Sequence, residues 1–209
     1  MKKTISLFII IIFIIILWGC TQGKDSNSYI EKAKLTKEEE QMARLLVDLE
    51  EYRIYDFEID KDIKTLEINI SQLKDGKWEF VSGGLDQFKD RNGRISLNFK
   101  NLGEGIRLAI ESESSSGSSS YSTESIKEIN KENIIVNISS LEERKEIVYE
   151  EEIPIVIQSL SYKDSLDSFD VNSFFTPEVY KERDYEGVYA ITLMFSEKTM
   201  EELTEDKDI

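Results

Sequence analysis

The chain has 209 residues, of which 42 are acidic and 26 basic, with one cysteine and no histidine, giving a net charge of −16. The absence of histidine excludes His-based triads, the usual zinc and copper ligands and axial haem ligation by His. A lone thiol excludes an intramolecular disulfide. So acidic a surface repels nucleic acid, whose binding rests on Lys and Arg neutralising phosphates. The partners left open are a basic protein, a glycan or a cation.

Lys2 and Lys3 precede an unbroken apolar run from Leu7 to Trp18, closed by Gly19 and Cys20. A basic start, an apolar core of about 7–15 residues and a small residue at the cut describe a secretory leader. The run is short for a spanning helix, which needs about 20 apolar residues. The alternative is an uncleaved anchor helix with an incidental cysteine. Leu17-Trp18-Gly19-Cys20 resembles the lipobox of bacterial lipoproteins, with Trp18 in a slot that family usually fills with a smaller residue. The resemblance implies that Cys20 is diacylglycerated, that residues 1–19 are removed, and that the remainder is held on the outer face of the cell membrane. Without Lys2 and Lys3 the mature chain carries 24 basic against 42 acidic residues, a charge of −18.

Residues 20–35 are polar and lack apolar periodicity, and read as a flexible tether; its stretch from Thr21 to Lys34 would span about 20 Å by random-coil scaling. Thr36 and Glu39 have capping-box spacing, with Glu38 and Glu40 adding negative charge to the first helical turn. Met42, Leu45, Leu46 and Leu49 then define one apolar face of a helix reaching about Glu51. That face is expected to pack on the protein's own sheet, a partner-binding role being the other option.

From Tyr52 the period changes to two. Tyr55, Phe57 and Ile59 form one buried set, and Leu66, Ile68 and Ile70 the next. Asp75-Gly76 predicts a tight hairpin returning through Lys77–Ser82, with Trp78 and Phe80 on one buried face. Residues 83–91 read as a loop and Asn92-Gly93 as a turn. Ile95, Leu97 and Phe99, then Ile106, Leu108 and Ile110, predict a second hairpin joined through 101–105. The serine-rich stretch 111–125 reads as an exposed loop. Strands are expected over 133–140, 146–149, 153–160 and 188–195, the last placed centrally because both its faces are apolar. Pro154 implies an edge strand or a strand start. Thr176-Pro177 opens a short helix, and the acidic tail 197–209 is expected to fray. The tally is eight or nine strands, one solid helix and one short one, which suggests an antiparallel β-sandwich over 36–196.

The blocks YDFEID (55–60), LKDGKWE (73–79), IRLAIESE (106–113), EEIPIVIQ (151–158) and VYAITLMFS (188–196) resemble a family of surface lipoproteins of low-GC Gram-positive bacteria. That resemblance implies a location and domain limits, and no activity.

No residue set carries a recognisable chemistry. Among 42 acidic residues some pair will meet glycosidase spacing by chance, and Glu150-Glu151-Glu152 reads as a charged turn. Asp86, Asp90 and Asn92, and separately Asp56, Asp60 and Asp62, have hard-oxygen ligands but not EF-hand register. No nucleophile elbow is present, and Gly83-Gly84 and Gly103-x-Gly105 lack the rest of a phosphate loop. Trp78 with the tyrosines offers a carbohydrate platform or, on its alternation with Phe80, a core position. The reading is therefore a lipid-anchored extracytoplasmic interaction domain with no cofactor, no metal site and no catalytic residue. The alternative is an envelope hydrolase using a carboxylate pair.

Overall fold

A computed structural model describes residues 28–46, 52–60, 62–87, 89–122, 134–163, 169–181, 183 and 185–207. The leader, Cys20 and residues 20–27 of the expected tether lie outside them, as do Leu49 and the expected helix end at Glu51. The elements in chain order are β1 (Tyr29–Lys32), α1 (Lys37–Leu46), β2 (Tyr52–Glu58), β3 (Thr65–Lys74), β4 (Lys77–Gln87), β5 (Asn92–Asn98), β6 (Ile106–Ser112), β7 (Ser116–Tyr121), β8 (Ile135–Ser140), β9 (Lys145–Glu146), β10 (Ile153–Ser161), β11 (Gly187–Ser196) and α2 (Met200–Lys207). Two antiparallel sheets result, one ordered β7-β6-β5-β2-β1-β9 and the other β4-β3-β11-β10-β8.

The period-two sets locate the interior. Tyr55, Phe57, Ile95, Leu97 and Leu108 from the first sheet, and Leu66, Ile68, Ile70, Ile191 and Phe195 from the second, belong to one buried cluster. Phe57 and Phe195 touch across it with ring centroids 5.5 Å apart, so the sheets face one another in a sandwich-like arrangement. The Tyr55 hydroxyl satisfies itself inside this core by donating to the Ile155 carbonyl. β11 is the middle strand of its sheet, as its two apolar faces require. The outer side of β10 and β11 is covered by the chain itself: 3₁₀ turns at Val171–Phe175 and Pro177–Tyr180 bring Phe174 and Tyr180 onto Ile157, Val188 and Ala190.

The structure corrects several expectations. The described residues form eleven strands where eight or nine were expected. β1 occupies the end of the expected tether, pairing with β2 on one side and β9 on the other. Its single inward apolar residue, Ile30, is fully buried, and one residue gives no period to detect. β7 forms within the serine-rich stretch by pairing with β6; the backbone supplies the ladder where the side chains carry no pattern. Asn92-Gly93 is not a turn but the start of β5, opposite Glu58 and Phe57. β4 runs on to Gln87 because Gly83 lets its backbone lie against the Ile68 carbonyl, where a Cβ would collide. A register shift at Ile70/Ser71 turns Phe80 outward, leaving it 64% exposed. Pro154 lies at the start of β10, which is not an edge strand, and the register shifts just after it. The Thr176-Pro177 helix is a 3₁₀ turn without a side-chain cap. The acidic tail is the helix α2, held by a capping box in which Thr199 Oγ1 accepts from Glu202 N and Glu202 Oε2 accepts from Thr199 N, with Leu203 buried beneath it.

Candidate functional site

The outer face of the six-stranded sheet is polar, and a ladder of charge crosses it. Glu31 lies opposite Asp56, Asp56 opposite Arg94, Arg94 opposite Glu111 and Glu111 opposite Ser116. Like charges directly opposite are destabilising, and Arg94 is the compensating group. Its Nε and Nη2 donate to the two Asp56 oxygens at 2.7 and 3.3 Å, and its Nη1 donates to Glu39 Oε1 at 2.7 Å. The paired carboxylates push the Arg94 guanidinium pKa further up, so its charge is fixed at every accessible pH.

Glu39 ties this ladder to the helix above it. The expected capping box is present: Glu39 Oε2 accepts from Thr36 N at 2.7 Å, and Thr36 Oγ1 accepts from Glu39 N at 3.2 Å. With the Thr36 amide and the Arg94 guanidinium both bonded to it, the Glu39 carboxyl is held down to about 2. This pairing also sets the rotation of α1. Glu39 and Ala43, one turn apart, face the sheet, and of the expected apolar face Met42 and Leu45 do not. Met42 is 58% and Leu45 80% exposed, because a sheet face of Asp56, Arg94, Ser96 and Glu111 offers apolar side chains little to bury against.

Between α1 and the strands runs a groove in two connected parts that share Arg94 and Glu111. The larger, about 570 Å³, is lined by Glu39, Asp56, Glu58, Glu111 and Glu113 with Arg94 as the one cation. The smaller, about 260 Å³, has an apolar floor of Ala43, Tyr52, Ile54 and Ala109. Glu58 accepts from the Tyr29 hydroxyl at 3.0 Å, and the Arg144 guanidinium sits over the Tyr29 ring. Glu111 and Glu113 make no ion pair among the described residues. The arrangement is a strip of negative potential beside an apolar slot.

The residues singled out by sequence scatter elsewhere. Asp56 enters the groove. Asp60 instead closes a polar clasp, accepting from Ser28 Oγ at 2.8 Å and from the Tyr149 hydroxyl at 2.6 Å; Asp62 pairs with Arg91. Asp90 accepts from the Ser114 amide and hydroxyl, and the Ser112 hydroxyl, followed by these two bonds, pulls its pKa down. Asp86 is half-buried on β4, where burial raises its pKa. Among the described residues no group of three or more acidic, His or Cys side chains is placed to hold a metal ion. Gly84 packs under the Tyr121 ring, where a Cβ would intrude. Trp78 takes the core option, stacked on Phe174 at 5.1 Å and donating its indole N–H to the Phe174 carbonyl at 2.8 Å. Glu150 sits at φ +64° and accepts from Ser196 Oγ and Glu197 N, tying down the end of β11. Glu67 and Glu152 are drawn together by Asn69, whose amide lies 2.7 and 3.3 Å from one oxygen of each. Glu67 is buried, however, and neither acid lines the groove.

Arg94 was not legible as a functional residue. Its sequence signal is an outward position in an alternating strand, and only register shows that carboxylates flank it on both sides. Among the described residues no helix is long and apolar enough to cross a membrane. Comparison of the chain with known protein families, curated proteins and solved structures finds no match to any of them.

Proposed function

We propose that this protein is a non-catalytic interaction domain, a β-sandwich carried on the outer face of the cell membrane by lipid on Cys20. Its groove between α1 and the six-stranded sheet takes a basic segment of a partner protein. One observation carries this reading. Five carboxylates surround a single arginine that is already paired, and the cleft they line opens into an apolar slot. A cationic side chain gains from the first part and an apolar neighbour from the second. Binding needs only shape and a few placed polar groups, and long-range attraction from a chain of net charge −16 speeds the encounter in a salt-dependent way. A carboxylate-pair hydrolase has less support: the pair bridged by Asn69 includes the buried Glu67, and the pair bridged by Arg94, Asp56 with Glu39, is neutralised by it.

The test is a titration with a labelled peptide in which two lysines precede two leucines, at low and high salt. Saturable binding that weakens with salt is expected. Glu111→Gln with Glu113→Gln should weaken it about two- to tenfold, the scale of two exposed ion pairs. Binding equal in the wild type and the double variant would remove the groove from the proposal. Mass spectrometry of the membrane-extracted protein tests the anchor: the expected species begins at a diacylated Cys20, and an intact Met1 overturns it.

A further inference from the structure

The five-stranded sheet ends in two edges that are protected unequally. Natural edge strands are blunted by charge, proline, bulges or shortness. β4, at one end, carries Lys77, Glu79 and Asp86 and a register shift against β3. In the other sheet, β9 is two charged residues long, and Tyr121 at the end of β7 lies against Gly84 of β4. β8 has none of these devices. It reads IVNISS, without charge or proline, and pairs with β10 in unbroken register from Ser140 opposite Val156 to Ile135 opposite Ser161. Two of its aliphatic side chains stand exposed, Ile135 at 37% and Val136 at 41%.

One bond fixes which way its main chain points. Leu141 N donates to Ile155 O at 2.9 Å, one step beyond the Ser140–Val156 pair. Bonded and non-bonded pairs alternate along an antiparallel ladder. The N–H and C=O groups of Ile135, Asn137 and Ser139 therefore serve the ladder with β10, and those of Val136, Ile138 and Ser140 point to the free side. No strand among the described residues pairs with β8 there. Beside the same stretch lies a cleft of about 310 Å³ between the two sheets. Ile138 lines it from β8, and Ala33, Leu35 and Ile54 from the β1–β2 side, each partly exposed. Arg53 bridges the sheets beside it, donating through Nε to Ser140 Oγ at 2.6 Å and through Nη1 to the Tyr52 carbonyl at 2.7 Å. The cleft shares Tyr52 and Ile54 with the apolar slot under α1 and no residue with the acidic part of that groove.

We propose that the free edge of β8 binds an extended segment of another protein by strand addition. In this mode main-chain bonds supply affinity, and pockets for alternate side chains supply specificity. The outward groups of Val136, Ile138 and Ser140 supply the first. The cleft supplies the second, because every other side chain of an added strand points inward over it, and its apolar lining calls for a bulky aliphatic residue. Charge chooses between occupants. A second copy of this chain brings another −16 and is repelled, and an acidic segment is disfavoured in the same way. The segment is uncharged or basic, with aliphatic residues at alternate positions.

Fluorescence anisotropy with the full chain tests this, using labelled octapeptides that alternate threonine with isoleucine, serine or aspartate. Saturable binding is expected for the isoleucine peptide, binding weaker by about tenfold or more for the serine peptide through lost aliphatic burial, and none for the aspartate peptide. Methylating the amides of the isoleucine peptide one at a time leaves the protein untouched. Methyl groups on amides facing β8 should raise Kd about three- to tenfold, the value of one main-chain hydrogen bond, and those facing away should not, so the profile alternates. Val136→Pro removes an outward N–H and no ladder bond and should weaken binding strongly, whereas Val136→Thr keeps the N–H and should bind as the wild type does. The methylation profile decides the matter even where the proline variant fails to fold. No saturable binding of the isoleucine peptide, equal binding of all three peptides, or a methylation profile without alternation would each overturn the proposal. So would a dimer in sedimentation that Val136→Pro dissociates, which gives the edge to a second copy.

Discussion

Ile30→Ala is the sharpest test of the fold, because it asks whether a strand sits where the sequence reads as tether. Ile30 is 0% exposed and lies in the main core cluster. Removing an isoleucine to alanine from such a site costs about 2–5 kcal/mol, transfer and cavity terms together. The strand is short and near the chain's entry, so relaxation puts our expectation at the middle of that range, about 3 kcal/mol. Against a domain stability of ~5–15 kcal/mol this is a large and measurable fraction. Lys32→Ala on the same strand is the control. Its ion-pair partner among the described residues is Glu142, with both side chains more than half exposed, and surface pairs of that kind are worth about 0–1 kcal/mol. Urea unfolding followed by far-ultraviolet circular dichroism should therefore shift the midpoint strongly for Ile30→Ala and hardly for Lys32→Ala, with unchanged slope. Chains truncated to begin at Ser28 and at Thr36 extend the test. The first keeps β1 and the Ser28–Asp60–Tyr149 clasp; the second loses both and exposes the facing edges of β2 and β9. An Ile30→Ala loss below about 1 kcal/mol, or equal midpoints for the two truncated chains, would refute the placement of β1 in the sheet.

Three further outcomes are expected. Trp78→Phe should cost about 1 kcal/mol, the net value of the indole bond to the Phe174 carbonyl, read by chemical denaturation. Gly105→Ala should destabilise by more than about 1 kcal/mol, since φ is 108° and a Cβ would strike the Tyr121 carbonyl. The Glu39 carboxyl is lowered from 4.5 to about 2, so its bonds to Thr36 and Arg94 stabilise α1 fully above the ordinary value and are lost as pH falls through that interval. The Thr36 and Glu39 amide resonances should move together between those limits, and Glu39→Gln should abolish the transition.

What could be read from the sequence was what leaves a period. The inward sets Tyr55-Phe57-Ile59, Leu66-Ile68-Ile70 and Ile95-Leu97-Phe99 are buried as their alternation demanded, and Asp75-Gly76 and the Thr36–Glu39 box form as their chemistry dictates. What could not be read lacks one. β1 has a single core residue, β7 is serine and glycine up to its final Tyr121, and the displaced register that exposes Phe80 is a tertiary event. The α2 box, Thr199 with Glu202, carries the same spacing as the one at Thr36 and was available to a reader who discounted its acidic surroundings. The groove was hidden for a deeper reason. Its character comes from residues on four strands and a helix, and only pairing register brings Glu31, Asp56, Arg94 and Glu111 into line.

The two sheets use their outer faces differently, and the proposed groove follows from that difference. The five-stranded sheet is covered by the chain's own aromatic layer, Phe174, Tyr180 and Trp78. Among the described residues the six-stranded sheet is covered by α1, an excursion between the neighbouring strands β1 and β2. That helix turns its largest described apolar side chains, Met42 and Leu45, away from the body and is held through Glu39, Arg94 and the contact of Ala43. The described contact that ties its first turn to the sheet is the Glu39–Arg94 pair. On the proposed reading, a basic segment entering the groove therefore competes with Arg94 for the Glu39 carboxylate.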